Sequence, residues 1–447
     1  MSAVTLVGAR VFDGAQLLEG RAVVIDGGRI SRLVPDAEVP HGARTRRIDG
    51  LIAPGFIDAQ VNGGGGVLFN DAPTVDGIAA IAAAHRRFGT TGFLPTFITD
   101  TRERMAEAVA AVEAAIAANV PGVLGIHVEG PFINPARKGA HDAALVRAIE
   151  DDDVAILTSL KLGRTLVTLA PEMVPAETIA RLIAAACIVS AGHTEATYEQ
   201  MSAARAAGLT GVTHLFNAMP PLAGRAPGVV GAALDDAEAY VSIIADLVHV
   251  SAPSLRVAIA ARGYERIMLV SDAMPSVGSG GDTLLLNGRT VTRKDGRLTL
   301  PDGTLAGSDL DMAAAVRNSV NHLGLPVEAA LRMASRAPAE FLGLGGELGR
   351  IAPGYRASLV LLDDDLNVTA TWVDGIAVRS EKTGTTFATP ANLRHLGPRF
   401  RGDERCGGLR CLRKARRLEA LTTGHATPRT HEPIGHQPLG VRIRNAS

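Results

Sequence analysis

Between residues 52 and 345, short apolar runs alternate with helix-length, alanine-rich segments. The runs are GFLPTFI (92–98), GVLGIHVE (122–129), TLVTLAP (165–171), CIVSAGH (187–193), TGVTHLF (210–216), YVSIIAD (240–246) and RIMLVSD (266–272), and the apolar segment 51–57 opens the series. Between them lie stretches such as TVDGIAAIAAAHRRFG and RERMAEAVAAVEAAIAAN, which have the length and apolar spacing of helices. Strand–helix alternation repeated seven or eight times predicts a parallel sheet, and at that count a closed (β/α)8 barrel of the TIM type rather than an open sheet. Helices at 310–323 and 326–343 would finish the barrel. A polar, glycine-rich insert with hairpin character, 276–304, follows the last strand directly.

The two ends follow a different rhythm. The first fifty residues, and the segments after Arg350, read as short strands broken by Asp-Gly and Gly-Gly turns. The pattern predicts a small β-sandwich built from 1–51 and 346–384, a barrel over 52–345, and a separate tail, 385–447. That tail holds twelve Lys or Arg against four Asp or Glu, a local charge of +8. With scattered Pro, Gly and Thr it is expected to be disordered, either as an arm for an acidic partner or as an appendage without a defined role.

Composition narrows the classes. Across 447 residues, 45 basic and 46 acidic side chains leave a formal charge of −1, which gives no global reason to bind nucleic acid or an acidic membrane. Cys187, Cys406 and Cys411 form no CxxC pair and are too few for a disulfide scaffold. No apolar run reaches the ~18–20 residues of a membrane helix. The opening MSAVTLVGARVFDG lacks a basic stretch followed by a long apolar one, so no signal peptide and a cytoplasmic location are expected.

The chemistry sits at the strand ends, where a parallel barrel builds its active site. Strand 122–129 ends in Glu129, strand 187–193 in His193, strand 210–216 carries His214 near its end, and the last strand ends in Asp272. Two imidazoles and a carboxylate with one open position match a catalytic zinc site. A cation held this way acidifies a bound water and polarises a carbonyl. Asp272, a carboxylate outside that set, would carry the proton from water to a leaving amine, which describes hydrolysis of an amide or a related bond. Other histidines have plainer readings. His85, beside Arg86 and Arg87 at a helix end, suits a cation on the helix dipole, and His322 closes a helix before Gly324. His41, His395, His425, His431 and His436 lie in loop-like sequence. His127 shares a strand face with Glu129, as packing or support beneath it.

These residues carry a resemblance. The segment LIAPGFIDAQVNG (51–63) is similar to the opening of amidohydrolase-superfamily barrels. His127-Val-Glu129-Gly-Pro-Phe, Ala191-Gly-His193-Thr194, Thr213-His214-Leu-Phe-Asn217-Ala218-Met and Ser271-Asp272-Ala-Met are far more specific. Together, over residues 1–382, they resemble the N-acetylglucosamine-6-phosphate deacetylases.

The resemblance implies one divalent ion per subunit on Glu129, His193 and His214, with zinc the expected metal and iron, cobalt or manganese also compatible. Many superfamily members place a second metal on His-x-His, where this chain has Gln60 and Asn62. These amides either satisfy buried donors or position the water. His141 matches a histidine that binds and polarises the acetyl carbonyl, and Asn217 and Ala218 match a loop at the sugar phosphate. Arg225 and His249 match phosphate contacts, the arginine supplied across a dimer interface, and Met312 with segment 305–308 matches a loop closing over the acetyl group. A cytoplasmic homodimer without nucleic-acid or membrane partners is implied. It would hydrolyse the acetamide of N-acetyl-D-glucosamine 6-phosphate to glucosamine 6-phosphate and acetate, in amino sugar catabolism. The residues also allow a different N-acyl or cyclic amide substrate, or a non-catalytic scaffold on the same fold.

Overall fold

A computed structural model describes residues 3–286 and 288–379. The expectations for the tail, its four histidines and its two cysteines lie outside the described residues. Eight parallel strands form the central sheet: β1 (Phe56–Val61), β2 (Thr90–Ile98), β3 (Gly125–Glu129), β4 (Arg164–Leu169), β5 (Ile188–Ala191), β6 (Gly211–Val212), β7 (Tyr240–Ile243) and β8 (Ile267–Leu269). Each pairs with the next along the chain. They are apolar almost throughout because both faces are covered, by helices outside and by the barrel's own interior within.

The ring is nearly closed. No continuous ladder joins β8 to β1, but Val61 bridges Ala273, the Asp272 amide donates to the Gln60 carbonyl at 3.0 Å, and the Gly63 amide donates to the Ala273 carbonyl at 2.9 Å. Asp58 adds a side-chain clasp: its Oδ1 accepts from the Ser271 amide at 3.1 Å and from the Gln60 amide at 3.2 Å. Three of the helices between strands start on threonine caps. Thr74 accepts from the Gly77 amide, Thr101 from that of Arg104, and Thr197 forms a capping box with Gln200.

Both ends of the described chain share a sheet. Arg10–Phe12 and Leu51–Pro54 from the N-terminal segment join Leu359–Leu362, Val368–Val373 and Ile376–Arg379. A four-stranded sheet of N-terminal strands lies with it around Leu6, Val23, Ile30, Ile52, Leu359 and Trp372. The continuous apolar run 51–57 is therefore two strands, not one. Leu51–Pro54 pairs in the terminal sheet, and the barrel starts only at Phe56. Gly55 marks the junction, where a Cβ would stand 2.1 Å from Thr91 Oγ1, so only glycine permits the crossing.

Two smaller differences follow from local chemistry. The expected helix 326–343 is split into Val327–Ala334 and Arg336–Phe341, because Pro338 has no amide hydrogen to continue the ladder. The insert after β8 is a three-stranded antiparallel sheet, Thr283–Leu286, Arg289–Lys294 and Arg297–Thr299. Among the described residues no helix is long and apolar enough to cross a membrane.

Candidate active site and metal centre

Three strand ends turn polar side chains into one volume at the C-terminal mouth of the barrel. Glu129 Oε1 lies 3.0 Å from His214 Nε2 and 3.3 Å from His193 Nε2, and the two Nε2 atoms are 3.1 Å apart. All three residues are buried, and they form a cluster of metal-ligating type. His193, His214 and Asp272 each adopt a left-handed backbone, with φ of 50°, 35° and 52°. That region is costly for side chains of this kind and is tolerated where the surroundings impose it.

The donor set suits a cation. His193 Nδ1 donates to the Arg137 carbonyl at 2.8 Å, which leaves a lone pair on its Nε2. A carboxylate oxygen offers only lone pairs. Three acceptor-capable atoms thus face one another with at most one proton, on His214 Nε2, to share among them. His214 Nδ1 is buried without a hydrogen-bond partner. Burial disfavours the His214 imidazolium, yet the hydrogen bond and charge of Glu129 outweigh it and hold its pKa above the ordinary value. Burial also opposes ionisation of Glu129, but its hydrogen bonds to both histidines keep it well below the usual carboxylate range.

Asp272 stands opposite the triad across a pair of amides. Gln60 Nε2 donates to Glu129 Oε1 at 3.0 Å and Oε2 at 3.2 Å, and to Asp272 Oδ1 at 3.2 Å. Asn62 Nδ2 donates to the same Asp272 oxygen at 2.7 Å. Burial first, and then the charge of Glu129, push the Asp272 carboxyl up to about 6. Burial likewise pushes Asp58, beneath this group, up to about 7.

The remaining expected residues divide into two groups. His141 reaches the site: its ring centroid is 4.5 Å from that of His193, and burial followed by the neighbouring His193 charge lowers its pKa to about 3. His249 is held by Asp246, with Nδ1 to Oδ2 at 2.6 Å. Ala218, at φ 50°, accepts from the Thr194 amide through its carbonyl, which ties its loop to His193's neighbour. Asn217 Nδ2 donates to the His214 carbonyl at 3.1 Å. Met312 is fully buried at the start of its helix, and the Ser308 amide donates to the Asp272 carbonyl at 2.9 Å, so segment 305–308 is docked on the end of β8. Arg225 is exposed and has no ion pair within the described residues.

His127, below Glu129, is buried between Thr96 Oγ1 at 3.2 Å and Thr168 Oγ1 at 2.8 Å, in keeping with support under the site. His85 corrects its expectation. It is not a cation on a helix dipole. It is buried against the Gly63 carbonyl at 2.9 Å, and burial lowers its pKa to about 4. Asp246 and Asp58 were not singled out from the sequence. Asp246 ends the run YVSIIAD in the same way that Asp272 ends RIMLVSD, a signal that was there to be read.

Comparison with known proteins gives the same picture. Residues 51–378 match the model of the amidohydrolase family, and residues 4–52 match the NagA composite domain. An N-acetylgalactosamine-6-phosphate deacetylase of Shewanella sp. (strain ANA-3) is 43% identical over 374 residues, which cover 82% of this chain and 94% of the relative. An N-acetylglucosamine-6-phosphate deacetylase of Haemophilus influenzae is 33% identical, over 83% of this chain and 98% of the relative. The crystal structure of N-acetylglucosamine-6-phosphate deacetylase from Pasteurella multocida superposes with a TM-score of 0.81 at 35% identity, covering 84% of this chain and 100% of that one. The matched span takes in the barrel and all four polar strand ends, and the chain belongs to the amidohydrolase family, as a hydrolase of an amide.

Proposed function

We propose that the chain hydrolyses the acetamide of N-acetyl-D-glucosamine 6-phosphate, giving glucosamine 6-phosphate and acetate in amino sugar catabolism. The observation that carries the reading is the buried triad of Glu129, His193 and His214 with a free carboxylate, Asp272, held across from it by Gln60 and Asn62. One divalent cation per subunit on that triad, zinc by ligand type, would supply a Lewis acid and a water acidified toward neutrality. Asp272 takes the proton from the attacking water and returns it to the departing nitrogen. His141 donates to the carbonyl oxygen as that oxygen gains negative charge. Gln60 and Asn62 fix the direction in which Asp272 presents its oxygens. Met312 and segment 305–308 border the acetyl group, while Asn217, Ala218 and His249 meet the sugar phosphate. Arg225 serves the phosphate of a neighbouring subunit in a homodimer, which accounts for an arginine left exposed in one chain. The setting is the cytoplasm.

The test is acetate release by the purified chain from the 6-phosphate and from unphosphorylated N-acetylglucosamine. Two charge-assisted phosphate contacts predict a preference of at least about 100-fold in kcat/KM for the phosphorylated sugar. Equal rates would remove the phosphate from the reading. The relative at 43% identity favours a second substrate, the galactosamine epimer, and the same assay ranks the two sugars.

A pH dependence follows. A base works deprotonated, so activity is lost as pH falls through the pKa of Asp272, which burial and the charge of Glu129 raise and a cation on the triad would lower again. An acid limb in kcat/KM at or below about pH 6 is expected, and an acid limb that persists unchanged in the residual activity of Asp272→Asn would exclude Asp272 as the titrating base.

A further inference from the structure

We infer that Thr99 is a positioning residue that selects the Nε2–H tautomer of His141. The inference rests on the proposed role of His141 as donor to the carbonyl oxygen, and it concerns which of its nitrogens holds the proton. Thr99 directly follows β2 and is buried. It aims two groups at one atom: its backbone amide lies 3.4 Å from His141 Nδ1 and its hydroxyl 2.7 Å from the same nitrogen. A backbone N–H can only donate, so Nδ1 accepts and carries no proton. The hydroxyl, free to rotate, then also donates. A neutral imidazole acting as acceptor at Nδ1 keeps its proton at Nε2. Only that tautomer can give a hydrogen bond from the far side of the ring.

Two further features hold Thr99 in place. Asn70 accepts from the Ile98 amide and donates to the Ile98 carbonyl, both at 3.0 Å, which clamps the end of β2 one residue before Thr99. Gly130 makes room for it, since a Cβ there would stand 2.2 Å from Thr99 Oγ1. The glycine after Glu129 therefore serves the neighbouring strand: any side chain at 130 would displace the hydroxyl from His141.

The test reads the tautomer directly. Long-range 1H–15N spectra of the metal-loaded full chain, labelled at histidine and with His141 assigned through His141→Asn, should show an unprotonated Nδ1 and a protonated Nε2. Thr99→Val, which keeps the shape and the 3.4 Å backbone amide but loses the 2.7 Å hydroxyl donor, leaves Nδ1 with one long hydrogen bond. It should let a minor Nδ1–H population appear and lower kcat about tenfold with little change in KM. Thr99→Ser should keep the wild-type spectrum and stay within about threefold of its kcat. A protonated Nδ1 in the wild type, or a Thr99→Val enzyme with unaltered tautomer and kcat, would overturn the assignment. The spectrum needs no substrate. A chain that released no acetate but showed the Nε2–H tautomer would sink the functional reading and leave Thr99's action on His141 standing.

Discussion

Asp272→Asn is expected to retain bound metal at the wild-type level and to lose at least about two orders of magnitude in kcat. The argument is one of geometry and charge. Asp272 contributes nothing to the cluster of Glu129, His193 and His214, so its replacement leaves three ligand side chains in place. The asparagine is isosteric and can still accept from Asn62 and Gln60 through its oxygen. What it cannot do is take a proton from water or hand one to a leaving nitrogen. Metal analysis of the purified variant, read beside acetate release, separates the two roles. Near-normal turnover would remove Asp272 from the mechanism, and loss of the metal would make it a ligand rather than a proton carrier.

Glu129→Gln is expected to act the other way round, lowering cation affinity by at least about 100-fold and activity with it. Glu129 is the single carboxylate of the triad and sits within 3.3 Å of both imidazole nitrogens. An amide of the same shape removes the negative charge that two neutral imidazoles cannot supply. It also sets its own NH2 group against Gln60 Nε2, which donates to both oxygens of Glu129, so a donor meets a donor in a buried site. Titration with zinc after chelation gives the affinity directly. Restoration of activity at high zinc concentration is the expected companion result, and tight stoichiometric binding by the variant would refute the ligand assignment.

The core of the site was legible because polar side chains at the ends of apolar strands are rare and ordered. Glu129, His193, His214 and Asp272 each break an apolar run at the point where a barrel strand meets its loop. Other features depended on contacts that no local pattern carries. His85 looks like a helix-end cation until the glycine-rich stretch after β1 covers it and leaves it neutral. The run 51–57 is apolar without interruption, so the transfer from one sheet to another at Gly55 is invisible until Thr91 is seen against it. Thr99 reads as one more strand-end hydroxyl, and its bond to His141 spans 42 residues. Asp246 is a different case, because it satisfies the same strand-end rule as Asp272.

The clasp between β1 and the end of β8 bears on the order in which function arises during synthesis. Asn62 and Asp272 are 210 residues apart, whereas the three candidate ligands all fall within 129–214. Contacts this distant in the chain form late, since closing so long a loop carries an entropic penalty before any contact offsets it. As the chain leaves the ribosome N-terminus first, the ion-gripping side chains emerge well ahead of the proton carrier. The complete site, with the proton carrier facing the three candidate ligands, exists only once the last strand has emerged and closed the ring.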